Sequence, residues 1–138
     1  MTFDPTERAV LANLADVLIP AGEGFPSASE AGVADAGLDQ VLSVRPDLAA
    51  GLKKILASAS GRPPAEVVVE LQTKDPVGFG VLAEVVPGAY FLNPQVRAKL
   101  GYGGQGARPI DPRADYLEDG LLQSALKRGP VYRPTPGR

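Results

Sequence analysis

The chain lacks the two residue types that carry out much of protein chemistry, because its 138 residues include no cysteine and no histidine. Without cysteine there is no disulfide, no thiolate nucleophile and no cysteine-ligated zinc, haem or iron–sulfur centre. Without histidine there is no imidazole base and no Ser-His-Asp or Cys-His arrangement. Catalysis by carboxylates alone is the enzymatic chemistry that these absences leave open.

Long apolar runs are also missing. No stretch of about 18 consecutive apolar residues occurs, so the sequence predicts no membrane-spanning segment. The first residues, Met1–Arg8, contain neither a basic stretch ahead of an apolar run nor twin arginines. We therefore expect a cytoplasmic chain, or a periplasmic one if a partner carries the export signal or the sequence has been trimmed.

Charge is low overall and unevenly distributed. The net charge is −2, and residues 1–50 hold eight acids against two bases, whereas residues 51–138 hold twelve bases against eight acids. The bases are scattered singly or in pairs and do not form the stripe that binds phosphates. The sequence therefore predicts no nucleic-acid partner.

What the chain does contain is 44% apolar residues together with 16 glycines and 14 prolines. This apolar content is enough for one core, and the glycines and prolines concentrate after Pro87. We expect a helical domain over residues 1–100. Residues 101–138 are predicted to form a loop-rich arm with one short helix, packed on the domain or on a partner.

Capping residues and helical spacing predict an all-α fold of about five or six short helices. Asp4-Pro5-Thr6-Glu7 and Ser27-Ala28-Ser29-Glu30 are capping boxes for the first two helices. Pro87 is expected to end or kink the fifth helix, and Asn93 to begin a further short one. The core positions that recur at helical spacing are Val10, Leu11, Leu14, Val17, Leu18, Val33, Leu38, Val41, Leu42, Leu48, Leu52, Ile55, Leu56, Val67, Val68, Leu71, Phe79, Leu82, Val85 and Val86.

One carboxylate, Asp16, lies within the apolar pattern of the first helix. A carboxylate at such a position needs a partner or an exposed rotamer. We favour a solvated residue on the polar face over a functional one.

Two patterns resemble enzyme motifs, and both have simpler explanations. Gly101, Gly103 and Gly106 match the dinucleotide-binding spacing G-x-G-x-x-G, but that motif needs a strand before it and a helix after it. Here a helix precedes the glycines and Pro109 follows them. The acid pairs Asp111/Asp115 and Glu118/Asp119 have the residue types of a carboxylate-dependent enzyme, although solvated acids in turns are the favoured interpretation.

The segment 89–105 is the most informative part of the chain, because it combines aromatic residues with glycines and an arginine and contains no nucleophile or acid. Such a composition is typical of a surface that binds another protein. The alternative is that Tyr90, Phe91 and Leu92 finish a core helix. The residues predicted to contact a partner are Tyr90, Phe91, Tyr102, Gln105, Arg108, Tyr132 and Arg133.

Two blocks of the sequence resemble the gluconate 2-dehydrogenase subunit 3 family. The first runs from Leu14-Ala15-Asp16-Val17-Leu18-Ile19-Pro20 through Phe25-Pro26-Ser27-Ala28-Ser29-Glu30-Ala31-Gly32-Val33. The second, looser block lies between Phe79 and Gln105 and includes Tyr90-Phe91 and Gly101-Tyr102. Together the blocks span most of residues 8–105.

The resemblance implies a small accessory subunit of a flavin-dependent dehydrogenase whose large subunit is a glucose-methanol-choline type oxidoreductase acting on sugars or alcohols. It implies no cofactor and no catalytic residue in this chain, with FAD bound by the partner. Exported members of the family carry a twin-arginine signal, which this sequence lacks. The alternatives are a stand-alone carboxylate-dependent enzyme and a helical interaction module unrelated to redox chemistry.

Overall fold

The computed structural model describes residues 2–106, 120 and 122–131. Every element of regular secondary structure in these residues is a helix. The order is α1 (Pro5–Leu18), a wide π turn (Val33–Gly37), α2 (Leu38–Val44), α3 (Leu48–Ala59), α4 (Pro64–Lys74), α5 (Pro76–Leu92), α6 (Pro94–Lys99) and α7 (Gln123–Arg128). The all-α prediction is confirmed. The run of β-branched residues Val67–Val69 is part of α4.

The chain divides into two units, Met1–Gly104 and Gln105–Arg138. The first unit contains α1 to α6, and its core consists of the inward faces of these helices. Core positions predicted from helical spacing, such as Leu11, Leu14, Leu52 and Leu82, are fully or almost fully buried. The prediction for Val17 is wrong, because this side chain lies at the solvent side of α1 and is 40% exposed. Among the described residues of the second unit, the regular structure is α7, whose Leu126 is exposed. The short helix of the arm is predicted from the spacing of Leu117, Leu121, Leu122 and Leu126, of which Leu117 and Leu121 lie outside the described residues.

The first capping box forms as predicted. The Asp4 carboxylate accepts hydrogen bonds from the backbone N–H groups of Thr6 and Glu7, at 2.8 and 2.9 Å. In return, the Asp4 N–H donates to the Glu7 carboxylate at 2.9 Å. These bonds satisfy amides that the first turn of α1 leaves without helical partners.

The second capping box also forms, but the helix predicted from it does not follow. Ser27 N–H donates to the Glu30 carboxylate at 2.8 Å, and Glu30 N–H donates to Ser27 Oγ at 3.3 Å. One turn later Gly32 has a φ of 72°, which lies in the left-handed region and ends any right-handed helix. The chain then makes the wide turn, closed by a 3.2 Å bond from Gly37 N–H to the Gly32 carbonyl, before α2 begins.

Close packing explains the glycine at the end of this wide turn. A Cβ built on Gly37 would lie 3.0 Å from the Ala89 Cβ on α5 and 3.0 Å from the Gly32 carbonyl oxygen. Both distances are shorter than ordinary van der Waals contacts. The small residues at 37 and 89 therefore let the wide turn pack directly on α5.

Helix α5 does not end at Pro87 but continues to Leu92. Proline removes the bond to the carbonyl four residues earlier, which here belongs to Ala83. Ala83 is exposed, so water can bond to that carbonyl. The flanking residues Val86 and Ala89 are buried, and their packing holds the helix together across the proline.

None of the helices in the described ranges is both long enough and apolar enough to cross a membrane.

Leu52→Ala is expected to lower the free energy of unfolding by about 2–5 kcal/mol, because the side chain is fully buried and its loss leaves a cavity. Leu126→Ala removes the same atoms from a side chain that is 61% exposed and serves as the control. Urea unfolding followed by circular dichroism measures both changes. Equal losses in the two variants would contradict this description of the core.

Candidate partner-binding surface

The residues predicted to contact a partner differ greatly in exposure. Phe91 is 52% exposed and Tyr102 is 51% exposed, whereas Tyr90 is only 5% exposed. Gln105 is exposed and belongs to the second unit. Arg108, Tyr132 and Arg133 lie outside the described residues, as do Asp111, Asp115, Glu118 and Asp119.

Tyr90 is a core residue at the end of α5. Its hydroxyl donates a 2.8 Å hydrogen bond to the Pro26 carbonyl, and its ring meets the Phe91 ring edge to face with centroids 5.5 Å apart. Burial, together with the negative charge of Glu30, raises the pKa of Tyr90, so the hydroxyl keeps its proton for this bond. Tyr90 has almost no free surface to offer a partner, in keeping with the alternative that this end of α5 completes the core.

Phe91 and Tyr102 lie on two consecutive elements that we call the α5–α6 corner, residues 90–102. Phe91 is in the last turn of α5, and Leu100 and Tyr102 follow the end of α6. Leu100 is also half exposed, at 52%. Two aromatic rings and a leucine are thus left in water on one short stretch of chain, which is typical of a binding surface when several such residues occur together.

Asn93 fixes the direction of the chain at this corner. Its side-chain carbonyl accepts hydrogen bonds from the N–H groups of Gln95 and Val96, at 2.8 and 3.2 Å, which confirms the N-cap predicted from the sequence. Its side-chain amide donates to the Ala31 carbonyl at 2.9 Å. One side chain therefore starts α6 and ties it to the loop formed by residues 22–32.

Three side chains of the corner bind carbonyls of loop 22–32. Tyr90 binds Pro26 and Asn93 binds Ala31, as described above, and the Lys99 ammonium binds the Gly24 carbonyl. Lys99 also lies 5.9 Å from the centre of the Phe25 ring, within range of a cation–π contact. The corner is therefore braced at three points along one loop.

Helix α1 holds the same loop through Asp16. One carboxylate oxygen accepts a hydrogen bond from Ser29 N–H and the other from Ser29 Oγ, each at 2.7 Å. Burial by itself raises the pKa of Asp16, but the hydrogen bonds from Ser29 and Ser27 outweigh it, so the pKa lies below its ordinary value. The preference for a solvated Asp16 is wrong, because this carboxylate fixes a loop.

The sequence contains one indication that Asp16 fixes a loop. Asp16 is a lone acid in an apolar pattern, and the loop that must pass near the end of its helix has serines with free donors. What the sequence does not show is the distance between them, which depends on how the chain turns after Pro20.

No group of three or more acids within the described ranges is arranged to hold a metal ion. Those ranges bring together a braced aromatic corner and a capped loop, in which Tyr90, Asn93, Lys99 and Ser27 are engaged in structural hydrogen bonds.

Comparison of the chain with protein-family models, with curated proteins and with solved structures finds no match. The resemblance to the gluconate 2-dehydrogenase subunit 3 family stays a prediction from the sequence.

Asp16→Asn is expected to lower the free energy of unfolding by about 1–3 kcal/mol at pH 7, because a charged acceptor of two hydrogen bonds is lost. The folded-state pKa of Asp16 lies below the unfolded value of about 4. The stabilisation is therefore complete above pH 4 or so and disappears as the pH falls through the folded-state pKa. Urea unfolding at a series of pH values should show the difference between the two proteins narrowing below about pH 4. A difference that stays constant down to pH 2 would rule out this role for the carboxylate.

Replacing Asn93 separates its two functions. Asn93→Asp keeps the acceptor that caps α6 but replaces the donor to Ala31 with a second acceptor, whereas Asn93→Ala removes both. We expect both variants to lose about 1–3 kcal/mol of stability, because the Ala31 carbonyl is left without a donor, and Asn93→Ala to lose about 1 kcal/mol more, because α6 also loses its cap. Hydrogen exchange at Val96 N–H tells them apart: protection should persist in Asn93→Asp and fall in Asn93→Ala. Equal exchange in both would contradict the assignment.

Proposed function

We propose that this chain is a non-catalytic small subunit that binds and stabilises an FAD-dependent oxidoreductase of the glucose-methanol-choline type, which acts on sugars or alcohols. The observation that carries the proposal is the α5–α6 corner, where Phe91, Leu100 and Tyr102 are each about half exposed on a braced segment. Burying such side chains against another protein is favourable, since aromatic rings remove much apolar area from water.

The bracing of the corner also favours binding. Side chains held in place before association lose less conformational entropy when a partner docks. The hydrogen bonds of Tyr90 and Asn93 to loop 22–32 leave the backbone beneath Phe91 little freedom. A rigid platform with exposed rings is what a stabilising subunit needs.

The corner and the loop are also the parts of the chain that carry the family resemblance. The first block ends in loop 22–32, and the second block contains the corner. Three hydrogen bonds join the corner to the loop, so the two blocks pack against each other in the fold. This is the support that the described residues lend to the family assignment.

The division of labour follows from residue types. With no histidine and no cysteine, this chain has few groups suited to act as a catalytic base, so the flavin, the base and the substrate pocket are assigned to the large subunit. A subunit that binds only the folded partner raises the partner's stability by mass action. Arg108, Tyr132 and Arg133 are proposed to extend the contact on the strength of the sequence alone.

The first test is purification of the full chain with its native partner, followed by a visible absorption spectrum. A yellow complex whose colour stays with the large polypeptide when the two are separated is the expected result. Turnover of a sugar or alcohol by the isolated small chain would overturn the proposal and favour a stand-alone enzyme. A colourless partner would favour an interaction module unrelated to redox chemistry.

Tyr102→Ala should weaken the complex by about 1–3 kcal/mol, because truncation of an aromatic residue at the centre of an interface has a cost of this size. Val77→Ala is the matched control, since Val77 is an apolar side chain that is 82% exposed at the other end of α5. Titration calorimetry with the purified large subunit measures both dissociation constants. The same affinity for both variants would move the interface away from the corner.

A further inference from the structure

Most cations of the first unit are neutralised within the unit. Each of five lysine or arginine side chains forms an ion pair with a carboxylate: Arg8, Arg45, Lys53, Arg62 and Lys74. Among residues 2–106, Lys54, Arg97 and Lys99 form no such pair. Two of these three cations are in the last turn of α6.

These two cations are close along the chain to the exposed side chains of Leu100 and Tyr102. Arg97 and Leu100 are three residues apart at the end of α6, and Tyr102 N–H donates to the Arg97 carbonyl at 2.9 Å. Lys99 directly precedes Leu100. The sequence contains no acid between Glu84 and Asp111, so the corner itself carries positive charge only.

The neighbouring loop 22–32 contributes two acids. The Glu30 carboxylate accepts the hydrogen bond from Ser27 N–H, and Glu23 is exposed next to the Gly24 carbonyl that Lys99 binds. A cation at the end of a helix is favoured by the helix dipole, which accounts for a basic residue in α6. The dipole does not account for a leucine and a tyrosine left exposed directly beside it.

We propose that the α5–α6 corner binds an acidic protein face, in which an apolar pocket receives Tyr102 and Leu100 and a rim of carboxylates meets Arg97 and Lys99. This inference rests on the proposed function, and it specifies the chemistry of the surface that the large subunit presents. Protein interfaces combine an apolar centre with a polar rim, and complementary charge at the rim accelerates association and selects the partner.

A protein face fits the corner better than the other acidic surfaces. Nucleic acids and anionic membranes attract stripes or clusters of many cations, whereas the corner has two and the whole chain has a net charge of −2. The half-exposed ring of Tyr102 and side chain of Leu100 gain most from a preformed apolar pocket.

The test compares two charge reversals that change the net charge equally. Arg97→Glu reverses a cation at the corner, and Lys54→Glu reverses an unpaired cation on α3. Arg97→Lys restores the charge. The probe is the polypeptide that stays with the tagged full chain during purification at low ionic strength. Its dissociation constant is measured for each variant at salt concentrations from about 25 to about 300 mM. Over this range the Debye length shortens, and the screening of exposed charges goes from weak to strong.

Arg97→Glu should raise the dissociation constant about tenfold or more at low salt, and the effect should shrink as salt is added. Lys54→Glu should stay within about twofold of the unaltered chain, and Arg97→Lys should bind nearly as well. Glu23→Lys should leave affinity unchanged or improve it. Circular dichroism confirms that each variant is folded before binding is measured.

The outcomes separate this inference from the proposed function. A flavoprotein that binds both charge reversals equally, with no dependence on salt, overturns the inference and leaves the proposed function intact. A flavin-free partner that is sensitive to Arg97→Glu and not to Lys54→Glu supports the acidic face and overturns the proposed function. If no polypeptide stays with the tagged chain at low ionic strength, the inference is overturned. Binding to phosphatidylserine vesicles or to duplex DNA that depends on Arg97 overturns it as well.

Discussion

Loop 22–32 is the constraint on which the rest of the first unit depends, because side chains from other elements satisfy four of its backbone polar groups that its own turns leave unpaired. A buried or half-buried carbonyl without a donor is costly, and loops have no helix or sheet ladder to supply one. Asp16 reaches the loop from α1, and Tyr90, Asn93 and Lys99 reach it from the α5–α6 corner. The loop thereby joins the beginning of the helical unit to its end.

Local rules were sufficient for most of the helices. Asp4 and Asn93 are caps because a short side-chain acceptor meets free amides within the same few residues, and the buried stripe of α3 follows from spacing alone. These predictions require no knowledge of tertiary contacts. The composition of segment 89–105 indicated Tyr90, Phe91 and Tyr102 alike, and it did not separate the two exposed rings from the buried one.

The predictions that failed or stayed undecided depended on contacts between distant elements. The capping box at Ser27 is real, but Gly32 can adopt a left-handed conformation, and packing of Gly37 against Ala89 then selects a wide turn in place of a continuous helix. Pro87 is tolerated because exposed Ala83 lies on the side that water reaches. The role of Asp16 depends on a partner 13 residues away. Spacing within one element contains none of this information.

The separation of bracing residues from exposed residues bears on how the corner can evolve and act. Tyr90 and Asn93 donate hydrogen bonds to carbonyls of the loop. Phe91, Leu100 and Tyr102 are each about half exposed to solvent. In the proposed complex, changes in the exposed set therefore alter the contact with the partner without disturbing the fold, while changes in the bracing set alter how firmly the exposed set is held. Since affinity depends on both contact and preorganisation, a loss of binding identifies a contact residue only when the hydrogen bonds between the corner and loop 22–32 are shown to survive.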